Sequence, residues 1–181
     1  MNQMDQSVSL RITTLNDIKL KFELVFLHLS LLFHQIKHCT DINQVQMAVC
    51  EHLKQALSYI NQCIIRMQKH HSQFELKPLS LADLASLYTN AILQTVPQSS
   101  VVTLDSIETQ LRQLTIQFDL LVFIIRDCPS VEKKPHVLLL ARAMTELFQL
   151  QHIYIYPYRA DLVPDFLNKI DFADKVLNDA Q

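Results

Sequence analysis

The stretch LNDIKLKFELVFLHLSLLFHQIKHC, residues 15–39, places apolar side chains at Leu15, Ile18, Phe22, Val25, Phe26, Leu29, Leu32, Phe33 and Ile36. Steps of three and four return to one side of a 3.6-residue helix, so this spacing predicts a single long amphipathic helix. Thr14 and Asp17 supply a capping pair at its start. The pattern recurs 89 positions later in LDSIETQLRQLTIQFDLLVFIIRDC, residues 104–128. There Thr103-Leu104 falls on Thr14-Leu15, Ile107 on Ile18, Leu111 on Phe22, Phe118 on Leu29, Ile125 on Ile36 and Cys128 on Cys39. The run needs no gap.

Working outward, a second periodic segment spans about Ile42 to Lys69, with Val45, Val49, Leu53, Ala56, Ile60, Ile64 and Met67 in register. Asp41 is its expected N-cap. A third helix starts at Ser80, three residues before Asp83, with Leu79 placed to staple onto Leu84. Gln94 to Ser100, with Pro97 among Gln and Ser, reads as a linker. Beyond it, helices are expected at about Leu104 to Cys128, Pro135 to Tyr154 and Asp161 to Asn178. The run Ile153 to Tyr156 has strand-forming residues but reads better as a helix end before Pro157. Ala160-Asp161-Leu162 repeats Ala82-Asp83-Leu84 at an offset of 78, a second internal match. These features predict an all-α bundle of about six helices. It would be a tandem duplication of a three-helix unit, residues 1–95 and 101–181, packed together because one small unit cannot bury its apolar face alone.

Composition narrows the function classes. The chain of 181 residues is 49% hydrophobic and 19% charged, which is globular usage. It contains no glycine, so dinucleotide fingerprints and phosphate-cradling loops, which need glycine for close backbone approach, are excluded. Without glycine the helices also lose their usual C-terminal cap. A net charge of −2 with no run of one sign argues against nucleic acid as a partner. No apolar run approaches the roughly 20 residues of a membrane span, and no signal peptide is read at the N-terminus. Four cysteines without a CxxC pair fit reduced thiols in the cytoplasm.

The first helix carries a second stripe opposite the first: Leu20, Leu24, Leu27, Leu31, His34 and His38, spaced 4-3-4-3-4 like the seam of a coiled coil. The equivalent positions of the repeat are Thr109, Gln113, Ile116, Leu120, Phe123 and Asp127, polar at both ends. The first stripe, by contrast, is matched by apolar residues throughout, apart from Thr115. Two explanations follow. Either the second stripe packs against the other unit, or it is exposed and receives a partner helix or a second copy of the chain. Tyr154, Tyr156, Tyr158 and Arg159 form an aromatic and basic cluster, of a composition enriched at binding hot spots.

His34 and His38 lie one turn apart, a spacing that chelates metals, with Cys50 and His52 as possible further ligands. No third ligand is set by spacing, so no metal or other cofactor is expected. Arg66 to His71 resembles the R-x4-H motif of the HEPN family, helical proteins that are often dimeric ribonucleases. The resemblance covers six residues and has Met67 where that family usually has a polar side chain. It implies phosphate contact by Arg66 and acid-base chemistry by His71. Arg66, Lys69, His70 and His71 equally complement the dipole of a helix end. No other catalytic constellation assembles from spacing. The expected function is therefore binding without catalysis: an adaptor, chaperone-like protein or regulatory subunit that self-associates. A small-ligand binder is the first alternative, and a ribonuclease or histidine-based metal protein the second.

Overall fold

A computed structural model describes residues 14–87 and 102–155, together with 175, 176 and 178. The elements are α1 (Leu15–His38), a 3-10 segment (Thr40–Val45), α2 (Gln46–His70), α3 (81–87), α4 (Leu104–Asp127), α5 (Lys133–Leu150) and a π-helical turn (Gln151–Ile155). No strand occurs among the described residues. The expected linker, and most of the helix expected at Asp161 to Asn178, lie outside them.

Helices α1 and α4 begin and end alike. Each has 24 residues and opens on a reciprocal capping box, Thr14 with Asp17 and Thr103 with Ser106. Each ends at an extended cysteine, with φ −89° and ψ 112° at Cys39 and φ −88° and ψ 110° at Cys128. No described residue has a positive φ. Lacking glycine, these helices stop by turning into extended backbone. The N–H of Cys39 donates to the Ile36 carbonyl at 3.4 Å, and that of Cys128 to Ile125 at 3.2 Å.

The second helix corrects an expectation. Asp41 is not its N-cap. It belongs to the 3-10 segment, and α2 starts at Gln46 after Val45, which makes no side-chain capping bond. The reason is Ile42, 2% exposed, whose side chain is drawn into the core. Its backbone leaves helical geometry there, at φ −118° and ψ 17°. Gln46 then donates its side-chain amide to the Ile36 carbonyl at 3.1 Å, closing the corner. The run at Ile153 is a helix end, as expected, rather than an extended piece, and it follows α5 directly. Residues Gln151–Ile155 wind as a π turn.

The helices pack as two antiparallel pairs. Helix α1 lies along α4: the Ser106 hydroxyl at the start of α4 donates to Gln35 near the end of α1 (3.0 Å), while Ile124 near the end of α4 lines a groove with Asp17 and Leu20. Helix α2 lies along α5, with His52 against Glu146 at one end and Cys63 against His136 at the other. Between those two contacts sit Ala56 and Ala143, both 0% exposed, two turns from Cys63 and His136 on the same helix faces, where small side chains let the helices approach closely. The buried faces of all four helices join in one apolar core, with Phe22, Phe118 and Phe148 its largest fully buried side chains. The two hydroxyls buried within it are satisfied locally. Ser30 donates to the Phe26 carbonyl and Thr115 to the Arg112 carbonyl, each at 2.8 Å.

The connection from α2 to α3 is sutured onto α2. Asn61 accepts from the Leu79 N–H (3.2 Å) and donates to the Leu79 carbonyl, and Gln68 donates to the Leu76 carbonyl. Phe74 packs edge-on against Phe22, with ring centroids 6.2 Å apart. Ser80 and Asp83 then cap α3 reciprocally, and the Ser80 N–H and hydroxyl hold the Asp83 carboxyl below its ordinary pKa.

Of the buried polar side chains among the described residues, Gln151 differs in having no partner. Gln151 is 0% exposed, and neither its amide oxygen nor its nitrogen has a hydrogen-bond partner among the described residues. An unsatisfied buried amide costs about 1–3 kcal/mol. Gln151→Met is therefore expected to raise stability by about 1–2 kcal/mol in urea unfolding at pH 7. An unchanged or lowered midpoint would mean that the amide is satisfied.

Candidate functional site

The outer face of α1 is where sequence and structure meet. Leu20 is 51% exposed, Leu24 37% and Leu27 46%, although their helix neighbours Phe22, Val25 and Leu29 are all 0%. These three leucines, with Asp17, Lys21, Glu23 and Ile124, line a groove of about 730 Å³. Among the described residues of the second half, Ile124 borders them without burying them. Leu31 and His34 are partly buried and His38 is exposed. The imidazoles of His34 and His38 lie against one another, with ring centroids 4.2 Å apart. Burial, and then the neighbouring His38, hold His34 down to a pKa of about 4.

Helix α4 adds a stripe of its own. Between its polar ends, Thr109 and Asp127, Ile116 is 49%, Leu120 39% and Phe123 54% exposed. Their spacing of four and three was the available signal. These positions match Leu27, Leu31 and His34 of α1. The antiparallel contacts between α1 and α4 are reciprocal: Gln35 meets Ser106, and the matching pair, Asp17 and Ile124, share the groove. A local two-fold thus relates the helices and turns both apolar stripes outward on the same side of the pair.

Leu27 also borders a second groove of about 430 Å³ on the other flank of α1, formed with Phe26, Leu76, Leu79 and Leu87 and with Glu23 and Lys77 at its edge. It exists because Asn61 and Gln68 pin the 72–80 segment beside α1.

The remaining sequence candidates separate. His52 is not brought to the His34–His38 pair. Its Nδ1 lies 2.9 Å from Glu146, and its ring lies 5.9 Å from that of Tyr154. Burial raises the Cys50 thiol above its ordinary pKa. Among the described residues, no group of three His, Cys, Asp or Glu side chains is close enough to hold a metal. Tyr154 is partly buried in the π turn, while Tyr156, Tyr158 and Arg159 lie outside the described residues. Arg66 reaches Glu132 at 3.5 Å, and His71 is the C-cap of α2, its N–H donating to the Met67 carbonyl at 2.8 Å.

Cys63 and His136 are the one close thiol–imidazole pair among the described residues, Sγ to Nδ1 3.4 Å. A nucleophilic cysteine needs a thiolate and access. Here burial pushes the Cys63 thiol far up, while burial, and then the Arg66 charge, hold His136 down to about 4. Both groups are neutral at pH 7 and at most 1% exposed, so the pair is a structural contact across α2 and α5.

No family model, curated protein sequence or solved structure matches this chain. The likeness at Arg66 to His71 thus rests on those six residues, and the function must be argued from the geometry above.

The neutral His136 has a consequence for stability. Its folded pKa lies below the ordinary 6.5, so the unfolded chain takes up a proton at a pH where the folded chain does not. Its contribution is complete above pH 6.5 and is lost as pH falls toward about 4, a loss on the order of 3 kcal/mol at most. His34 and His28 are held down too, so part of the slope will persist without it. Urea unfolding of His136→Leu at pH 7.0, 5.5 and 4.5 is expected to show a shallower fall than the wild type. Parallel curves would contradict this assignment.

Proposed function

We propose that this protein is a helical interaction module that acts by binding, as an adaptor, chaperone-like protein or regulatory subunit, through the outer face of α1 and the adjoining face of α4. The observation that carries the reading is the exposure of Leu20, Leu24 and Leu27 in one groove. A half-exposed leucine forgoes on the order of 1 kcal/mol of burial free energy, and contiguous apolar patches on a folded surface mark association sites. The outward stripe of Ile116, Leu120 and Phe123 enlarges the same surface.

In this reading the two halves descend from one duplicated unit. Support comes from the shared offset of 89, the matching caps of α1 and α4, and the antiparallel pairing of each long helix with its counterpart. Duplication would leave both α1 and α4 with an outward face, of which only α1 is apolar from its first turns. We also place the protein in the cytoplasm. Its four cysteines are free, three of them buried, and no helix among the described residues is long and apolar enough to cross a membrane.

A second reading has one observation in its favour. The groove between α1 and the 72–80 segment is apolar over most of its wall, and its size suits a small apolar ligand. Native mass spectrometry of the purified protein would report a bound small molecule directly.

The main reading is tested with Leu24→Glu/Leu27→Glu. The double variant is expected to keep its helical circular dichroism and to melt within about 3 °C of the wild type, since neither side chain belongs to the core. It is also expected to lose the wild type's self-association and any partner it binds. Unfolding of the variant, or association that survives the change, would contradict the proposal.

A further inference from the structure

Resting on the reading of this face as an interaction surface, we infer that its occupant is α1 of a second copy of the chain, running antiparallel. The spacing 4-3-4-3-4 reads the same in both directions. An antiparallel copy therefore meets the stripe in register at every layer: Leu27 against the partner's Leu31, Leu24 against the partner's His34, and Leu20 against the partner's His38. Two leucine layers form the centre. Leucine–histidine layers flank them, where burial keeps His34 uncharged near neutral pH.

Charge complementarity supports this orientation. In an antiparallel seam, the positions just before each first-type core residue face their own kind across the interface. On α1 these are Glu23, Ser30 and Lys37, of which Ser30 is covered within the chain and the two charged residues are exposed. The same register sets Glu23 against the partner's Lys37, and two-fold symmetry makes the pair twice. A parallel copy would set Glu23 against the partner's His28 and leave Lys37 no acidic residue on the stripe. Glu23 and Lys37 are both exposed; in the single chain the Lys37 ammonium lies over the Phe33 ring, 5.0 Å from its centroid, and would swing off that ring to meet the partner's Glu23.

The position of α4 points the same way. It lies on the flank of α1 that carries His28 and Gln35, where Ser106 bonds Gln35. In the antiparallel arrangement these flanks face one another, so the outward stripe of α4 would meet that of the partner's α4. In a parallel arrangement it would meet the flank carrying Glu23, Ser30 and Lys37. Ile116, Leu120 and Phe123, between 39% and 54% exposed, are matched by an apolar surface only in the first case. An interface between copies of one chain that buries the same patch on both sides is the usual two-fold arrangement.

Charge reversal tests the register. Glu23→Lys and Lys37→Glu each turn both attractive pairs into repulsive ones, so each variant alone should dimerise about tenfold more weakly at low salt. Mixed in equal amounts, the two variants should form a heterodimer in which both pairs are attractive again, with affinity close to that of the wild type. Sedimentation equilibrium reads these masses against the 21.0 kDa chain. Circular dichroism should report all forms folded. A wild type that stays at 21.0 kDa up to about 100 µM would overturn the inference. So would a dimer indifferent to both reversals, or variants that do not recover on mixing. If the wild type is monomeric and yet binds a different protein through Leu24 and Leu27, the second copy is ruled out and the interaction reading stands. If Leu24→Glu/Leu27→Glu unfolds, that reading fails as well.

Discussion

Ile18, Phe22, Leu29 and Ile36 are withdrawn completely from solvent on one side of α1, and this burial against α4 and the α2–α5 pair orients the rest of the molecule. A helix with that stripe committed to the core turns the residues half a revolution away outward. In most surface helices those positions are polar. Here they are Leu20, Leu24 and Leu27. The apolar character of the outer face is therefore not a by-product of core packing. It is a separate feature of the sequence, laid on a helix whose orientation the core has already determined.

The second pair supplies the platform. Ala56 and Ala143 allow α2 and α5 to approach, and polar contacts close either end, His52 with Glu146 and His136 with Cys63. Neutral histidine and neutral thiol suit that buried position, because a charged partner there would need compensation the apolar core does not offer. Buried and neutral, Cys63 and His136 form a structural contact between α2 and α5. Among the described residues, the α1–α4 surface and the groove beside it are open to solvent and apolar.

Much of this was legible in the residues. The 3.6-residue periodicity located all four long helices, and the Thr14–Asp17 capping pair, with the match of Thr103 to Thr14, set the starts of α1 and α4. The start of α2 was not legible, because the pull of one side chain, Ile42, into the core outweighed the capping preference of Asp41. The π turn at Gln151–Ile155 has no signature in periodicity. Opposed stripes on α1 could be recognised as distinct, but only packing could decide which of them stays in solvent. Ile116, Leu120 and Phe123 were missed because they were weighed with the polar residues at either end of their stripe. Their role depends on the antiparallel placement of α4 beside α1, a tertiary fact. His52 illustrates the same limit. Its nearness to Cys50 in sequence suggested a shared ligand set, whereas its neighbours in space are Glu146 and Tyr154.

The central claim is that the outer stripe of α1 closes against the same stripe of a second chain in antiparallel register. Disulfide trapping tests it most directly, because a disulfide forms only where Cα atoms come within about 7 Å. Under mild oxidation, Leu27→Cys/Leu31→Cys should be captured as a covalent dimer, with the thiol introduced at position 27 of each chain joined to the thiol at position 31 of the other. Leu24→Cys alone, opposite the partner's His34, should remain a single chain. Efficient trapping through Leu24→Cys, or no trapping by the double variant in its folded state, would contradict the account.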